Sequence, residues 1–244
     1  MIVPTVRDSF GRKDVEALVD LLASDDPELG RAAQARVQDE GIDVLLDDPR
    51  VLNAVLTGDP VGVRPPVLFY ILIRQALLEG GVEDPGTADY VTSLVLAFGS
   101  GKRAYRVSST AQEEFHYLVD LVRRMGEVEE REAFLIRSHL GNYALWLAGL
   151  FPDFLSARVR RRGAPSIRYY EEMGVTGFRL AARSPQAEHL GMEELLLRVA
   201  DGFTELRWAL NRVSDRHLWR SQANPVGRLL RDVSDPDRPP APDR

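Results

Sequence analysis

The residues with the clearest chemical potential lie in a short arginine-rich stretch that ends in two tyrosines. Residues 157–183 carry seven basic and two acidic side chains, whereas the whole chain has a net charge of −6. A guanidinium group binds phosphate or carboxylate through two parallel hydrogen bonds, and a tyrosine ring stacks on a base or another ring. We therefore expect a surface for an anionic partner or ligand, formed by Arg158, Arg161, Arg162, Arg168, Tyr169 and Tyr170.

The spacing of the arginines limits how many can serve one anion. In a helix, Arg158, Arg161 and Arg162 share one side, while Arg160 points away from it. The same arginines would also complement the negative C-terminal end of a helix and could pair with acidic side chains of the N-terminal quarter. The sequence leaves both interpretations open: an internally ion-paired helix end, or a surface for an anionic partner.

A second candidate group lies in residues 137–146, where polar and aromatic side chains are mixed. Its members are Arg137, His139, Asn142, Tyr143 and Trp146. Gly141, Ala144 and Ala148 fall on one helical face, where small side chains let another backbone approach closely. The first interpretation is a tightly packed central helix with a buried hydrogen-bond network. The alternative is a pocket wall in which polar groups meet an aromatic floor.

One local pattern has metal-ligand spacing. Glu113 and His116 are three residues apart, so a helix would place both on one face, as in ferritin-like di-iron sites. Such a site needs a second Glu-x-x-His pair, and none of the other three histidines has a glutamate three residues before it. An ordinary polar helix surface is therefore favoured over a metal site, and no cofactor is predicted.

Several common catalytic patterns are absent from the sequence. There is no cysteine, which excludes a disulfide scaffold and a cysteine nucleophile. The Gly-Ser-Gly-Lys stretch at 99–102 lacks the earlier glycine and the following Ser or Thr of a phosphate-binding P-loop, and no nucleophile elbow occurs. A chain with net charge −6 also lacks the overall positive charge of nucleic-acid coats. The sequence thus gives no positive evidence for an enzyme and argues against nucleic acid as a partner.

The apolar pattern predicts an all-α protein, a compact bundle of about nine helices. Asp26-Pro27 and Asp48-Pro49 are typical helix starts. Further helices are predicted near residues 67–80, 111–125, 129–151, 153–162 and 165–183. Residues 192–213 repeat apolar side chains every three or four positions, which predicts one long packing helix. Residues 91–108 stay ambiguous, because their β-branched side chains and glycines also fit a β-hairpin.

A turn-rich connector at residues 58–66 indicates a boundary within the chain. We predict an acidic helical subdomain at 1–60, docked onto a main bundle at 61–233, and a disordered tail at 234–244. No apolar run reaches the roughly 18 residues that span a bilayer. No signal peptide is visible either, so we expect a cytoplasmic protein without membrane contact.

The expected function is that of a non-enzymatic interaction or regulatory module that contacts an anionic partner through the Arg/Tyr segment 158–170. The first alternative is a helical small-molecule-binding protein or enzyme with an anionic ligand in a pocket between helices 129–151 and 165–183. A helical metalloprotein using Glu113 and His116 is the second alternative. The interaction module and the small-molecule-binding protein predict different positions for residues such as Arg137, His139 and Tyr143. In a ligand-binding protein these side chains converge on a concave pocket, whereas in an interaction module they lie separately in the core and at the surface.

Overall fold

Every regular element of the chain is helical in the ranges that the computed structural model describes, residues 1–58, 62–99, 101–108 and 110–218. These ranges hold thirteen α-helices, so the all-α class is confirmed and the expected number of about nine is too low. Part of the difference comes from helices of only four or five residues, which leave almost no periodic pattern in a sequence. The predicted tail at 234–244 lies outside the described residues.

The helices belong to two units, Ile2–Leu96 and Ala97–Arg244 with Met1. The N-terminal unit contains α1 Arg12–Asp25, α2 Pro27–Glu40, α3 Asp43–Leu46, α4 Pro49–Thr57, α5 Pro65–Glu79 and most of α6 Pro85–Gly99. The C-terminal unit contains α7 Leu118–Met125, α8 Glu130–Leu150, α9 Pro152–Arg162, α10 Ile167–Ala182, α11 Pro185–His189, α12 Glu193–Asp201 and α13 Phe203–Val213. The connector at 58–66 falls between α4 and α5, which share a unit, and the division at residue 60 stays a prediction.

The two Asp-Pro pairs lie at helix starts, as predicted. The Asp26 carboxylate accepts a hydrogen bond from the Glu28 N–H at 2.9 Å, and Asp48 accepts one from the Arg50 N–H at 2.9 Å. A proline follows each aspartate at the first helical position, where the missing N–H would have no partner within the helix. This local chemistry explains why these two starts can be located from the sequence alone.

The stretch that was ambiguous between helix and hairpin is helical. α6 continues to Gly99, and Gly101–Tyr105 form a short 3₁₀ helix. The described part of residues 91–108 therefore contains no β-hairpin. Tertiary burial outweighs the β-branched side chains here, since Val91 and Leu94 are fully buried in the helix.

The prediction of a single helix over residues 192–213 is wrong. The chain forms α12 and α13 instead, and they are separated at Gly202. The apolar seam itself is confirmed, because its members Leu196, Val199, Phe203, Leu206, Leu210 and Val213 are all buried. Glycine has low helix propensity, so the helix ends there while the buried stripe continues across the break.

The α8 helix is the central element of the C-terminal unit, in contact with α7, α9, α10 and α13. Two glycines let α8 and α10 cross closely. A Cβ atom on Gly177 would lie 2.8 Å from both the Gly141 nitrogen and the Arg137 carbonyl oxygen. A Cβ atom on Gly141 would lie 2.7 Å from the Phe178 ring. The prediction that small residues in this helix permit close backbone approach is therefore confirmed.

Replacing Gly177 by alanine is expected to lower the free energy of unfolding by about 1–3 kcal/mol, because the added methyl group meets backbone atoms that cannot move aside. This loss of stability is a net effect, because alanine has a helix propensity roughly 1 kcal/mol better than that of glycine. Urea unfolding measures the change. Gly126→Ala is the control, since its Cβ atom would lie 3.6 Å from the nearest neighbouring atom, the Arg123 carbonyl oxygen. Equal stability of the two variants would contradict the close crossing.

Side chains at and beyond the end of α13 fix the C-terminal end of α8. Asn211 donates hydrogen bonds to the carbonyl oxygens of residues 148 and 149 at 2.9 and 2.7 Å, and the Ser214 hydroxyl donates one to the Leu150 carbonyl at 2.8 Å. Pro152 follows and has no N–H to offer the Ala148 carbonyl. The turn from α8 into α9, which forms part of the cavity described below, is thus held from the α13 side.

Candidate functional site

A cavity of about 600 Å³ lies in the C-terminal unit, between α8, α9 and the segment that precedes α7. Six aromatic side chains line it: Tyr105, Tyr117, Tyr143, Trp146, Phe151 and Phe154. Arg158, Arg161 and Arg162 also line it, together with His116, and none of the lining residues that the structure describes is Asp or Glu. Side chains from distant parts of the sequence therefore meet in one concave, positively charged and aromatic site.

The α9 helix places its arginines on the cavity face by simple helical spacing. Phe154, Arg158, Arg161 and Arg162 are separated by four, three and one residues, which keeps them on one side of the helix. Arg160 does not line the cavity, as the spacing predicts. α9 ends at Gly163, whose φ of 60° is a left-handed conformation that glycine adopts without steric cost. The helix therefore stops directly after its last arginine.

The α8 helix supplies the inner wall. Tyr143 is buried and its ring stacks against Trp146 at a centroid distance of 6.1 Å. Trp146 in turn meets the Phe151 ring edge-on at 4.8 Å, where the chain turns into α9. Such ring pairs keep their relative orientation, because stacked and edge-to-face geometries are the favoured ones. The wall is thus a fixed aromatic surface.

The Arg158 side chain lies between two rings from opposite sides of the site. Its guanidinium carbon is 5.5 Å from the centre of the Tyr117 ring and 5.4 Å from the centre of the Phe154 ring. Both distances fit cation–π contacts. Contacts of this kind engage the face of the guanidinium plane, whereas hydrogen bonds leave from its edge. Arg158 is therefore oriented by rings while its N–H donors remain able to bind an anion.

No carboxylate of the described residues lies within ion-pair distance of Arg158, Arg161 or Arg162. Elsewhere in the same unit, arginines such as Arg179 and Arg207 do have carboxylate partners, at 2.9 and 2.7 Å. The negative end of the α9 dipole offsets about half a charge, which leaves most of the positive charge uncompensated. In the part of the chain that the structure describes, the internal ion pairing considered from the sequence is thus absent for these three arginines.

Tyr143 connects the inner wall to the loop on the opposite side. Its hydroxyl donates a hydrogen bond to the His116 carbonyl oxygen at 3.3 Å. Burial raises the pKa of Tyr143 above its ordinary value, with a further contribution from the nearby Tyr105. The phenol therefore stays protonated at neutral pH and acts as a donor. Next to it, the Tyr105 and His116 rings lie 4.5 Å apart and hold the loop against the wall.

Arg137 and the residues of the 168–170 segment, which were predicted as site residues from the sequence, lie outside the cavity lining. Arg168 is exposed and pairs with Glu172 at 3.1 Å, as in an ordinary helix surface. Arg137 pairs with Glu130 across two helical turns. Tyr169 and Tyr170 meet edge-on at 5.9 Å, and Tyr170 is buried. In the cavity lining, the structure thus brings the arginines 158, 161 and 162 together with Tyr143 and Trp146. Tyr170 does not line the cavity, but it lies close to Arg158: burial raises the pKa of Tyr170, and the Arg158 charge opposes that rise.

His139 and Asn142 are core residues rather than cavity residues. His139 is 3% exposed and packs against the Phe98 and Tyr143 rings at centroid distances of 5.5 and 6.0 Å. Burial, together with the nearby positive charges of Arg103 and the Met1 amino group, lowers the pKa of His139 to about 3. His139 is therefore neutral at all physiological pH values. The packing interpretation, and not the pocket interpretation, describes these two residues.

The helix expected over residues 111–125 begins only at Leu118, so Glu113 and His116 do not share a helical face. Glu113 instead lies 3.7 Å from the Arg124 guanidinium, while the His116 ring contacts Tyr105. Within the described residues, no group of three or more His, Asp or Glu side chains has a geometry that could hold a metal ion. The geometric basis of the metal alternative is therefore lost.

Sequence reasoning missed the remaining rings, Tyr105, Tyr117, Phe151 and Phe154, and also missed that His116 lies at the cavity. One local signal existed for Phe154, because it precedes Arg158 by four residues and so shares its helical face. Tyr105 and Tyr117 lie in irregular or 3₁₀ segments, where no period indicates which way a side chain points. Only the tertiary structure brings them to the site.

Comparisons with protein-family models, with curated proteins and with solved structures find no match to this chain. Within the described residues, no helix has the length and apolarity needed to cross a membrane. The function must therefore be argued from the cavity itself.

Proposed function

We propose that this chain binds a small organic anion with a flat apolar body, held non-covalently in the cavity between α8 and α9. The proposal is carried by one observation: three arginines without carboxylate partners among the described residues share a concave site with six aromatic side chains. Arginine forks suit the anionic group, and rings suit the apolar body. The volume of about 600 Å³ also falls within the range of small-ligand pockets, roughly 300–1,000 Å³.

This proposal favours the small-ligand alternative over the interaction module expected first from the sequence. Protein partners usually bury broad surfaces, whereas here the charged groups line a concavity. The ligand site also differs from the one expected, because it is formed by α8, α9 and the 105–117 segment, and not by α8 and α10.

A protein partner is the second candidate, and the exposure of the rim favours it. Tyr117 and Phe154, which line the cavity, are 54% and 50% exposed, and Val119, two residues after Tyr117, is 52% exposed. Such exposure is unusual for large apolar side chains. A partner with an acidic, aromatic segment would cover this rim. Val119 does not line the cavity, so Val119→Asp separates the candidates. It should leave small-anion binding unchanged, and it should abolish binding of a partner that covers the rim.

Anilinonaphthalene sulfonate, an aromatic monoanion, is a direct probe of the proposed site. We expect one molecule to bind per chain, with a rise in dye fluorescence as the dye leaves water. Arg161→Glu should weaken this binding by about tenfold or more, because it replaces an attractive charge by a repulsive one at the site. The melting temperature should change little, since Arg161 is exposed.

Arg160→Glu is the matched control. It changes the net charge of the chain by the same amount as Arg161→Glu. Residue 160 is next to residue 161 in the sequence, but it lies on the side of α9 that faces away from the cavity. We expect its dye affinity to stay within about twofold of the original chain. Equal weakening by both variants would indicate general electrostatic attraction and would overturn the proposed site.

A further inference from the structure

We infer that the ligand of this cavity is an aromatic phosphate monoester, an inference that rests on the proposed function and narrows it. The starting point is the charge of the site. Three arginines line it, and none of the lining residues that the structure describes is acidic, so the guanidinium groups give it a formal charge of +3. A carboxylate offers one negative charge, whereas a phosphate monoester carries about −1.5 to −2 near neutral pH. The dianion matches the site better.

The arrangement of the donors also favours phosphate. Arg158, Arg161 and Arg162 project from two successive turns of one helix face, so their forks approach a common anion from different directions. A carboxylate has two oxygens in one plane with about four acceptor positions, and one bidentate guanidinium takes two of them. A phosphate monoester has three terminal oxygens in tetrahedral arrangement and accepts hydrogen bonds from several arginines at once.

The side chains that line the cavity walls indicate the chemistry of the rest of the ligand. Apart from Leu147 and Ala157, the cavity surface near the arginines consists of rings, including Trp146, Phe151 and Phe154. The described walls offer no amide side chain, and their hydroxyl groups belong to the rings of Tyr105, Tyr117 and Tyr143, which stack on other rings. Arg158 is held between Tyr117 and Phe154, at the boundary where charge and rings meet. A phosphate attached directly to a flat ring, or a few bonds away from it, spans both parts.

Isothermal titration calorimetry with five small probes tests the inference. Phenyl phosphate should bind about tenfold more tightly than phenylacetate, which keeps the ring but has one charge and two oxygens. Phenyl phosphate should also bind about tenfold more tightly than inorganic phosphate, which has the charge without the ring. Adenosine monophosphate and free phosphotyrosine carry the same two groups. Tighter binding of one than of the other identifies the kind of ring and supports the inference either way.

Arg161→Glu and Arg160→Glu serve as the variant and its control. Arg161→Glu should remove the preference for phenyl phosphate over phenylacetate, and Arg160→Glu should keep it. Binding of phenylacetate within about threefold of phenyl phosphate would overturn the phosphate assignment while the proposed anion site stands. Binding of inorganic phosphate within about threefold of phenyl phosphate would overturn the inference that the ligand has an aromatic body. If the sulfonate dye does not bind either, the proposed function itself fails.

Discussion

Replacing Arg207 by methionine is expected to lower the free energy of unfolding by about 3–5 kcal/mol, the largest effect of any single substitution considered for this chain. The Arg207 side chain is 1% exposed, and its Nε donates a hydrogen bond to the Glu171 carboxylate at 2.7 Å. This pair joins α13 to α10. Without the guanidinium, Glu171 keeps a charge in a site where only 21% of its side chain reaches solvent.

The exposed pair of Arg179 and Asp201 is the matched control. It joins α10 to α12 at 2.9 Å, but its side chains are 50% and 66% exposed. Water replaces the lost partner there, so Arg179→Met should cost no more than about 1 kcal/mol. Guanidinium chloride unfolding of both variants measures the difference. Similar losses would mean that burial of the Arg207 pair has no energetic consequence.

A double substitution separates the charge from the packing. Replacing both partners by apolar residues, Arg207→Met with Glu171→Leu, leaves no buried charge behind. Buried pairs replaced in this way are often as stable as the original. We therefore expect the double variant to recover most of the loss seen with Arg207→Met alone. A further loss would show that Arg207 stabilises the unit through its other contacts, such as the Trp208 ring at 5.6 Å.

The parts of the fold that could be predicted from the sequence are those set by local chemistry. The Asp-Pro pairs at residues 26–27 and 48–49 can be recognised as helix starts, because the aspartate supplies the capping oxygen and the proline fits the first helical position. The buried seam at residues 196–213 follows from spacing alone. The break at Gly202 could not be located in this way, because a glycine within a helical pattern is often tolerated. Its effect depends on how α12 and α13 pack.

The candidate site shows the same division between local and tertiary information. Arg158, Arg161 and Arg162 could be grouped, and Arg160 separated from them, because a helix has a fixed period. Nothing in the sequence relates Arg158 to Tyr117, which lies 41 residues earlier in an irregular segment. The same limit explains the failed Glu113–His116 pair, since it assumed a helix where the chain has no regular structure. Ring contacts across the cavity are a property of the tertiary structure.

His139 is expected to make the C-terminal unit less stable in acid. Its ordinary pKa is about 6.5, and in the folded chain burial and the charges of Arg103 and the Met1 amino group lower the pKa to about 3. Between these two pH values the unfolded chain binds one more proton than the folded chain. Stability is therefore complete above about pH 6.5 and falls as the pH decreases towards 3.

The effect can be measured by urea unfolding at about pH 7.5 and about pH 4.5, where His139 should account for a loss of about 2–3 kcal/mol. His139→Gln has no proton to gain, so its stability should fall less between the two pH values, whatever its stability at the higher one. His189→Gln is the control, because His189 is exposed and should leave the pH dependence unchanged. An identical pH dependence for His139→Gln and the original chain would contradict the buried, neutral state of His139. The prediction holds independently of any ligand, because His139 packs behind the Tyr143 wall and does not line the cavity.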